Sequence, residues 1–227
     1  MMKVIAFDAD DTLWDCQSHF DEVEQHLYRL IGPYCDDPAQ QLYHTESQNM
    51  ADLGYGCKAF TISIMETALR VGGSHLTSAE LSDLLAHSKS LLHLPATPLP
   101  GVESTLQTLQ AAGHRMAVFT KGELQDQENK LLRSGLRRHF SHVEITSNKT
   151  ETEFLQLCRH LDIAPEELLM VGNSFKSDIA PALAVGAMAI HIPFHVTWQL
   201  EHQEEFPHPR LVKIERFSDL LTAIPSF

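Results

Sequence analysis

The chain has 227 residues, of which 43% are hydrophobic, and a formal net charge of -13 at pH 7. This charge argues against nucleic acid or an anionic membrane as a partner. The four cysteines are far apart and include no CxxC pair, which disfavours both a zinc knuckle and a disulfide framework. No charged leader and no long apolar stretch is visible, so the sequence predicts a cytoplasmic protein without a membrane span.

The first predicted element is a short buried strand over residues 3–8, and a cluster of carboxylates follows directly, with the sequence DADDT at positions 8–12. Ionised carboxylates in a buried or half-buried position are costly unless a cation or hydrogen-bond donors meet them. The cluster therefore predicts a site of metal-assisted phosphoryl transfer at the tip of the strand. The alternative is a set of strand-end caps or turn residues.

Four helices are predicted next, with no strand between them. Asp37 before a proline indicates one helix start, and Thr77 with Glu80 forms a capping box that opens the last helix. A proline-rich stretch over residues 95–101 cannot continue a helix and predicts a linker. These helices form a predicted cap domain over residues 15–98.

Beyond the linker, helices and strands alternate, which is typical of a parallel sheet with helical crossovers on its faces. Because the strand at residues 3–8 is too short to be a domain, it must join this sheet across the insertion. The predicted fold is therefore α/β: a Rossmann-like parallel sheet sandwiched by helices, in a core domain of residues 1–14 and 99–227, with an inserted four-helix cap. The helices are predicted over residues 102–112, 123–134, 151–161 and 176–185, and the strands over 115–120, 142–146, 168–171 and 187–192. The tail, residues 195–227, is predicted as a loop, a strand over 211–214 and a closing helix, without catalytic residues.

Asp8 and Asp10 are the candidate catalytic pair. Because these residues are two positions apart in a backbone predicted to be extended, their side chains point the same way. An ordinary aspartate is ionised at neutral pH and can attack phosphorus without a base, which suits Asp8. One further carboxyl group can protonate the leaving alcohol and later deprotonate the attacking water, which suits Asp10.

Four further residues follow strand ends and favour phosphoryl binding. The Thr120 hydroxyl and the amides of Lys121 and Gly122 are positioned to hold phosphoryl oxygens. Lys149 precedes a helix, where its ammonium offsets the clustered carboxylates and holds the transferring group. The alternatives are an ordinary strand end at Thr120 and a solvated surface charge at each lysine.

Asn173 and Asp178 follow the next buried strand and supply a carbonyl oxygen and a carboxylate at the same sheet edge. Hard oxygen ligands of this kind suit Mg2+. The alternative for Asp178 is a cap of the following helix.

The chain resembles the haloacid dehalogenase superfamily of hydrolases at that family's four motifs. In order, the matching parts are the DADDT sequence, the strand that ends at Thr120, Lys149 and the segment 172–178. The helical insertion is similar to the cap of its first subfamily. The resemblance implies that Asp8 is the nucleophile and a metal ligand, and that Asp10 is the acid/base and gives a backbone carbonyl to the metal. The other roles it implies are phosphoryl binding by Thr120 and Lys149, and metal binding by Asn173 and Asp178.

Many members of that family have aspartate where this chain has Asn173, so we expect weaker Mg2+ binding with retained activity. The resemblance implies a Mg2+-dependent phosphatase that acts on a small phosphorylated metabolite through an aspartyl-phosphate, as a monomer or homodimer. A phosphomutase, a 2-haloacid dehalogenase and a noncatalytic binding module on the same scaffold remain alternatives. Dehalogenation is disfavoured because it has no use for a second acid that protonates an alkoxide.

Overall fold

The computed structural model describes residues 2–224 and divides the chain into two compact units. One unit comprises Cys16–Leu94, and the other combines the chain before it, up to Asp15, with the chain from Pro95 onward. Within the described residues, no helix combines the length and the apolar character needed to cross a membrane.

A parallel sheet is the centre of the second unit, as predicted. Six strands lie in the order β3-β2-β1-β4-β5-β6, and each neighbouring pair is parallel. The first strand, β1, therefore lies in the middle of the sheet between two strands that follow the helical insertion. The strands are β1 Val4–Phe7, β2 Arg115–Lys121, β3 His142–Thr146, β4 Leu168–Gly172, β5 Met188–His191 and β6 Leu211–Lys213.

Helices cover this sheet, and apolar side chains of its central strands are buried against them. On one side, Phe7 packs near the rings of Phe140 and Phe217, and on the other Phe119 meets Phe154 edge to face. Strands that are buried on both faces explain the continuous apolar runs in the sequence. The helices of this unit are α5 Val102–Ala111, α6 Leu124–Arg133, α7 Glu151–Leu161, α8 Ala180–Ala184 and α9 Leu220–Ala223.

The inserted unit contains the four predicted helices, which surround their own apolar core. The Asp37 side chain accepts a hydrogen bond from the amide of Gln40, and the capping box of Thr77 and Glu80 is formed. Both predicted helix starts are confirmed. The helices are α1 Gln17–Ile31, α2 Pro38–Leu53, α3 Cys57–Gly72 and α4 Ser78–Ser90.

The helix predicted over residues 176–185 is present, but its first half is not α-helical. Phe175–Ile179 forms a single π-helical turn, and only Ala180–Ala184 is α-helical. The amide of Ile179 bonds to the carbonyl of Ser174, five residues back, while Pro181 has no amide to continue an α-helical pattern. Such wide turns occur often at functional sites, and this one contains Asp178.

Candidate active site

The predicted site residues meet at the carboxyl edge of the central strands. Phe7 pairs with Val118 of β2 and with Val171 of β4, so Asp8 and Gly172 leave the sheet side by side. The amide of Asp8 still bonds to the carbonyl of Val171, at 2.9 Å. Because the sheet is parallel, three segments that are distant in sequence end at one edge, the usual binding region of such folds.

Lys149 lies between two buried carboxylates. Its Nζ is 2.5 Å from Asp8 Oδ1 and 2.7 Å from Asp178 Oδ1. Burial alone would lower the pKa of Lys149, but the two carboxylates outweigh it and hold the pKa above its ordinary value. Lys149 is thus a buried, charged group, and the surface-lysine interpretation is wrong.

Asp8 itself differs from the ordinary aspartate that the sequence predicts. Burial raises its pKa most, the neighbouring Asp178 raises it further, and Lys149 opposes both, with the result that the pKa rises from 3.8 to about 7. Two carboxylates share one ammonium here, so the ionised pair needs a further positive charge.

The segment after β4 is built to present oxygen atoms to this group. Asn173 Oδ1 and Asp8 Oδ2 each lie 3.1 Å from the hydroxyl of Thr12, which can donate to either. The amide of Ser174 donates to Asp178 Oδ2 at 2.9 Å. A Cβ on Gly172 would lie 2.3 Å from that same oxygen, so only glycine allows the carboxylate to approach this closely.

Asp10 is held apart from this group by partners of its own. Lys130 Nζ lies 2.8 Å from both carboxylate oxygens, the Trp14 indole donates to Oδ1 at 2.7 Å, and Gln127 donates to Oδ2 at 3.1 Å. Burial raises the pKa of Asp10, but Lys130 and these hydrogen bonds outweigh it and leave the pKa below its ordinary value. The next residue, Asp11, has a left-handed backbone conformation with a φ of 62°.

Thr120 is connected to Asp10 through one amide side chain. Gln127 Nε2 lies 2.7 Å from the Thr120 hydroxyl and 3.0 Å from the carbonyl of Lys121. The amide of Gly122, predicted to hold a phosphoryl oxygen, instead donates to the carbonyl of Thr146 at 3.0 Å.

Lys121 lies at the same edge, where it forms an ion pair with Glu201 and approaches the Ser177 hydroxyl at 2.7 Å. Glu201 also accepts hydrogen bonds from the hydroxyls of Ser174, at 2.7 Å, and Ser177, at 2.5 Å. Burial raises the pKa of Glu201, but Lys121 and the two hydroxyls outweigh it and lower the pKa. The tail, from which we expected nothing catalytic, thus contributes a carboxylate beside the site.

Sequence reasoning missed four residues at this edge: Gln127, Lys130, Glu201 and His191. The first two lie one helical turn apart on α6, and both are buried. A polar face on a helix between two buried strands was the signal that could have found them. No comparable sequence pattern marks Glu201 or His191. The Nε2 atom of His191 lies 3.0 Å from the carbonyl oxygen of Asn173.

These residues fit a magnesium ion. Asp8, Asp178 and Asn173 offer carboxylate and amide oxygens as ligands, and the Asp178 carboxylate packs tightly against Gly172. Burial and the neighbouring Asp178 raise the pKa of Asp8, so a bound cation would stabilise its ionised form. Mg2+ is commonly held by one or two carboxylates together with water and substrate phosphate.

Comparison with known proteins agrees with this geometry. A glyceraldehyde 3-phosphate phosphatase of Methanopyrus kandleri is 26% identical over 202 residues, which cover 85% of this chain and 84% of that protein. A haloacid dehalogenase-like family hydrolase from Xanthomonas campestris has a crystal structure with a TM-score of 0.89 at 28% identity, covering 99% of this chain and 91% of that one.

A third relative shows the same fold at greater distance. The HAD-hydrolase YfnB from Bacillus subtilis, solved bound to magnesium, has a TM-score of 0.70 at 14% identity and covers 99% of both chains. Residues 2–186 match the protein family described as haloacid dehalogenase-like hydrolase, and this range includes β1, the helical insertion and the segment 172–178. The chain therefore belongs to the haloacid dehalogenase-like hydrolases.

Proposed function

We propose that the protein is a Mg2+-dependent phosphatase of a small phosphomonoester. The observation that carries the proposal is the pair of separately held carboxylates, Asp8 against Lys149 and Asp10 against Lys130. One carboxylate lies beside the positive charge that a phosphate needs, and the other lies beside donors that orient it. Nucleophilic attack followed by proton transfer requires this division of roles.

The reaction then has two steps. An oxygen of Asp8 attacks phosphorus, the bond from phosphorus to the ester oxygen breaks, and Asp10 gives a proton to the departing alkoxide. In the second step Asp10 takes a proton from water, the water oxygen attacks the aspartyl-phosphate, and the Asp8 carboxylate is released with inorganic phosphate. Bound Mg2+ would neutralise the carboxylates and phosphoryl oxygens, held by Asp8, Asp178, Asn173 and the Asp10 carbonyl.

The roles of the surrounding residues follow from their contacts. Lys149 and Thr120 face the phosphoryl group, and Lys121 and Gly122 border it. In the substrate-free chain Asp10 is ionised, because Lys130 lowers its pKa. The negative charge of an arriving phosphate raises the proton affinity of Asp10, which prepares it to act as an acid.

The substrate we propose is a short phosphorylated metabolite, and glyceraldehyde 3-phosphate is the first to test because relatives carry that activity in their names. The experiment measures inorganic phosphate released by the purified protein with Mg2+ from triose phosphates, phosphoglycolate, phosphoserine, sugar phosphates, nucleoside monophosphates and an aryl phosphate. We expect release that stops with a chelator and returns with added Mg2+. Consumption of substrate without free phosphate would indicate a mutase, and inertness toward the whole panel would contradict the phosphatase.

Asn173→Asp tests the metal assignment. A third carboxylate beside those of Asp8 and Asp178 adds attraction for a divalent cation, so we expect Mg2+ to bind several-fold more tightly by calorimetry. Asn129→Asp, on the exposed face of α6, adds the same charge away from the site and should leave the affinity unchanged. Equal affinities of both variants and the parent would place Asn173 outside the coordination shell.

The pKa of Asp8 predicts a pH-dependent effect of Mg2+ on stability. Because the folded metal-free chain binds a proton on Asp8 up to about pH 7, and the unfolded chain releases it near 3.8, metal-free stability falls as pH rises across that interval. Mg2+ favours the ionised carboxylate, so the rise in Tm on adding Mg2+ should grow from pH 5 toward pH 8. We expect Asp8→Asn to remove most of this growth, and parallel profiles of parent and variant would contradict the assignment.

A further inference from the structure

A second group of potential metal ligands lies away from the active site, at the other end of the same β3–α7 unit. His142 and Glu144 are two positions apart at the start of β3, on one face of the strand. His160 lies in the last turn of α7. Lys149, in contrast, lies between the end of β3 and the start of α7.

The three side chains already converge on one another. His142 Nε2 is 2.8 Å from Glu144 Oε2, and His160 Nδ1 is 2.9 Å from each oxygen of the same carboxylate. One ligand atom from each residue can be chosen so that all three lie within 4.8 Å of one another. In a tetrahedral zinc site, ligand atoms are about 3.4 Å apart, as follows from metal–ligand distances of about 2.1 Å.

We propose that His142, Glu144 and His160 bind a transition-metal ion of the zinc class at a site separate from the active site. Two imidazole nitrogens and one carboxylate oxygen suit Zn2+, Ni2+ or Cu2+, whereas Mg2+ prefers oxygen ligands alone. Three protein ligands leave a fourth position for water.

Burial and position support this assignment. The side chains of His142 and Glu144 are 29% and 18% exposed, so the sheet holds them, while His160 is 56% exposed and is accessible for a small rotation onto a metal. The strand β3 is an edge of the sheet among the described strands. A bound ion would join this edge strand to α7 and stabilise the β3–α7 segment, whose connecting loop contains Lys149.

The test is a calorimetric titration of the full chain with Zn2+ in the presence of excess Mg2+, which occupies the oxygen ligands of the active site. We expect one Zn2+ to bind and to raise the Tm. Glu144→Gln and His160→Gln should each weaken this binding about ten-fold or more and abolish the rise in Tm. The matched control is His93→Gln, which changes an exposed histidine of the inserted unit and should bind Zn2+ like the parent.

A second measurement identifies the ligand atoms directly. Cu2+ bound to the parent protein should show coupling to two imidazole nitrogens in its electron paramagnetic resonance spectrum, and His160→Gln should reduce this to one. The proposal is wrong if Zn2+ binding is absent, or if it is unchanged in both Glu144→Gln and His160→Gln; its loss in Asp8→Asn would place the ion in the active site instead. Copper without nitrogen coupling would also overturn it.

Discussion

Asp8→Asn should abolish turnover of every phosphomonoester and leave the fold intact. An amide oxygen is a poor nucleophile and forms no stable phosphoryl adduct, so we expect the rate to fall by about four orders of magnitude or more. The substitution also removes the repulsion between Asp8 and Asp178, which is one cause of the raised pKa of Asp8. The Tm of the metal-free variant above pH 7 should therefore equal or exceed that of the parent.

The matched control for this experiment is Asp162→Asn. Asp162 is exposed at the end of α7, and its φ of 56° is one that asparagine also adopts. It should retain full activity. Phosphate release by Asp8→Asn at a rate comparable to the control would reject Asp8 as the nucleophile, and a large fall in Tm would instead indicate a structural role.

Asp10→Asn should slow turnover about 10²- to 10⁴-fold, because it removes a proton donor and acceptor without removing the nucleophile. The loss should be larger for alkyl phosphates than for an aryl phosphate, since a good leaving group needs less protonation. With an aryl phosphate we expect the aspartyl-phosphate to form and then persist, because no base activates the water. Intact-protein mass spectrometry after rapid quenching should detect this phosphorylated chain.

The double variant Asp8→Asn with Asp10→Asn provides the control, since it should carry no phosphoryl group. Equal losses for alkyl and aryl substrates, with no covalent intermediate, would show that Asp10 acts only through its contact with Lys130. The buried Lys130 retains Asp126 at 3.4 Å in the variant, so its charge is still partly compensated.

Much of the architecture could be predicted from local patterns. Continuous apolar runs followed by polar residues marked the central strands, and capping residues such as Asp37 and Thr77 marked helix starts. The π-helical turn at Phe175–Ile179 could not be predicted in this way, because its residues show ordinary helical spacing. It brings Asp178 close to Gly172, a contact between the turn and the preceding strand that local patterns do not describe.

The sequence by itself determined that Asp8, Thr120, Lys149 and Asp178 should gather at one edge, because parallel strands joined by helices place their carboxyl ends together. Only the tertiary structure decided how their charges are paired. Lys130 on α6 was needed to bind Asp10, and Lys149 was needed to bridge Asp8 and Asp178. The pKa of each group depends on its burial and on its distance from the other charges. Burial and distance both result from packing between segments that are far apart in the sequence, and local sequence patterns describe each segment only by itself.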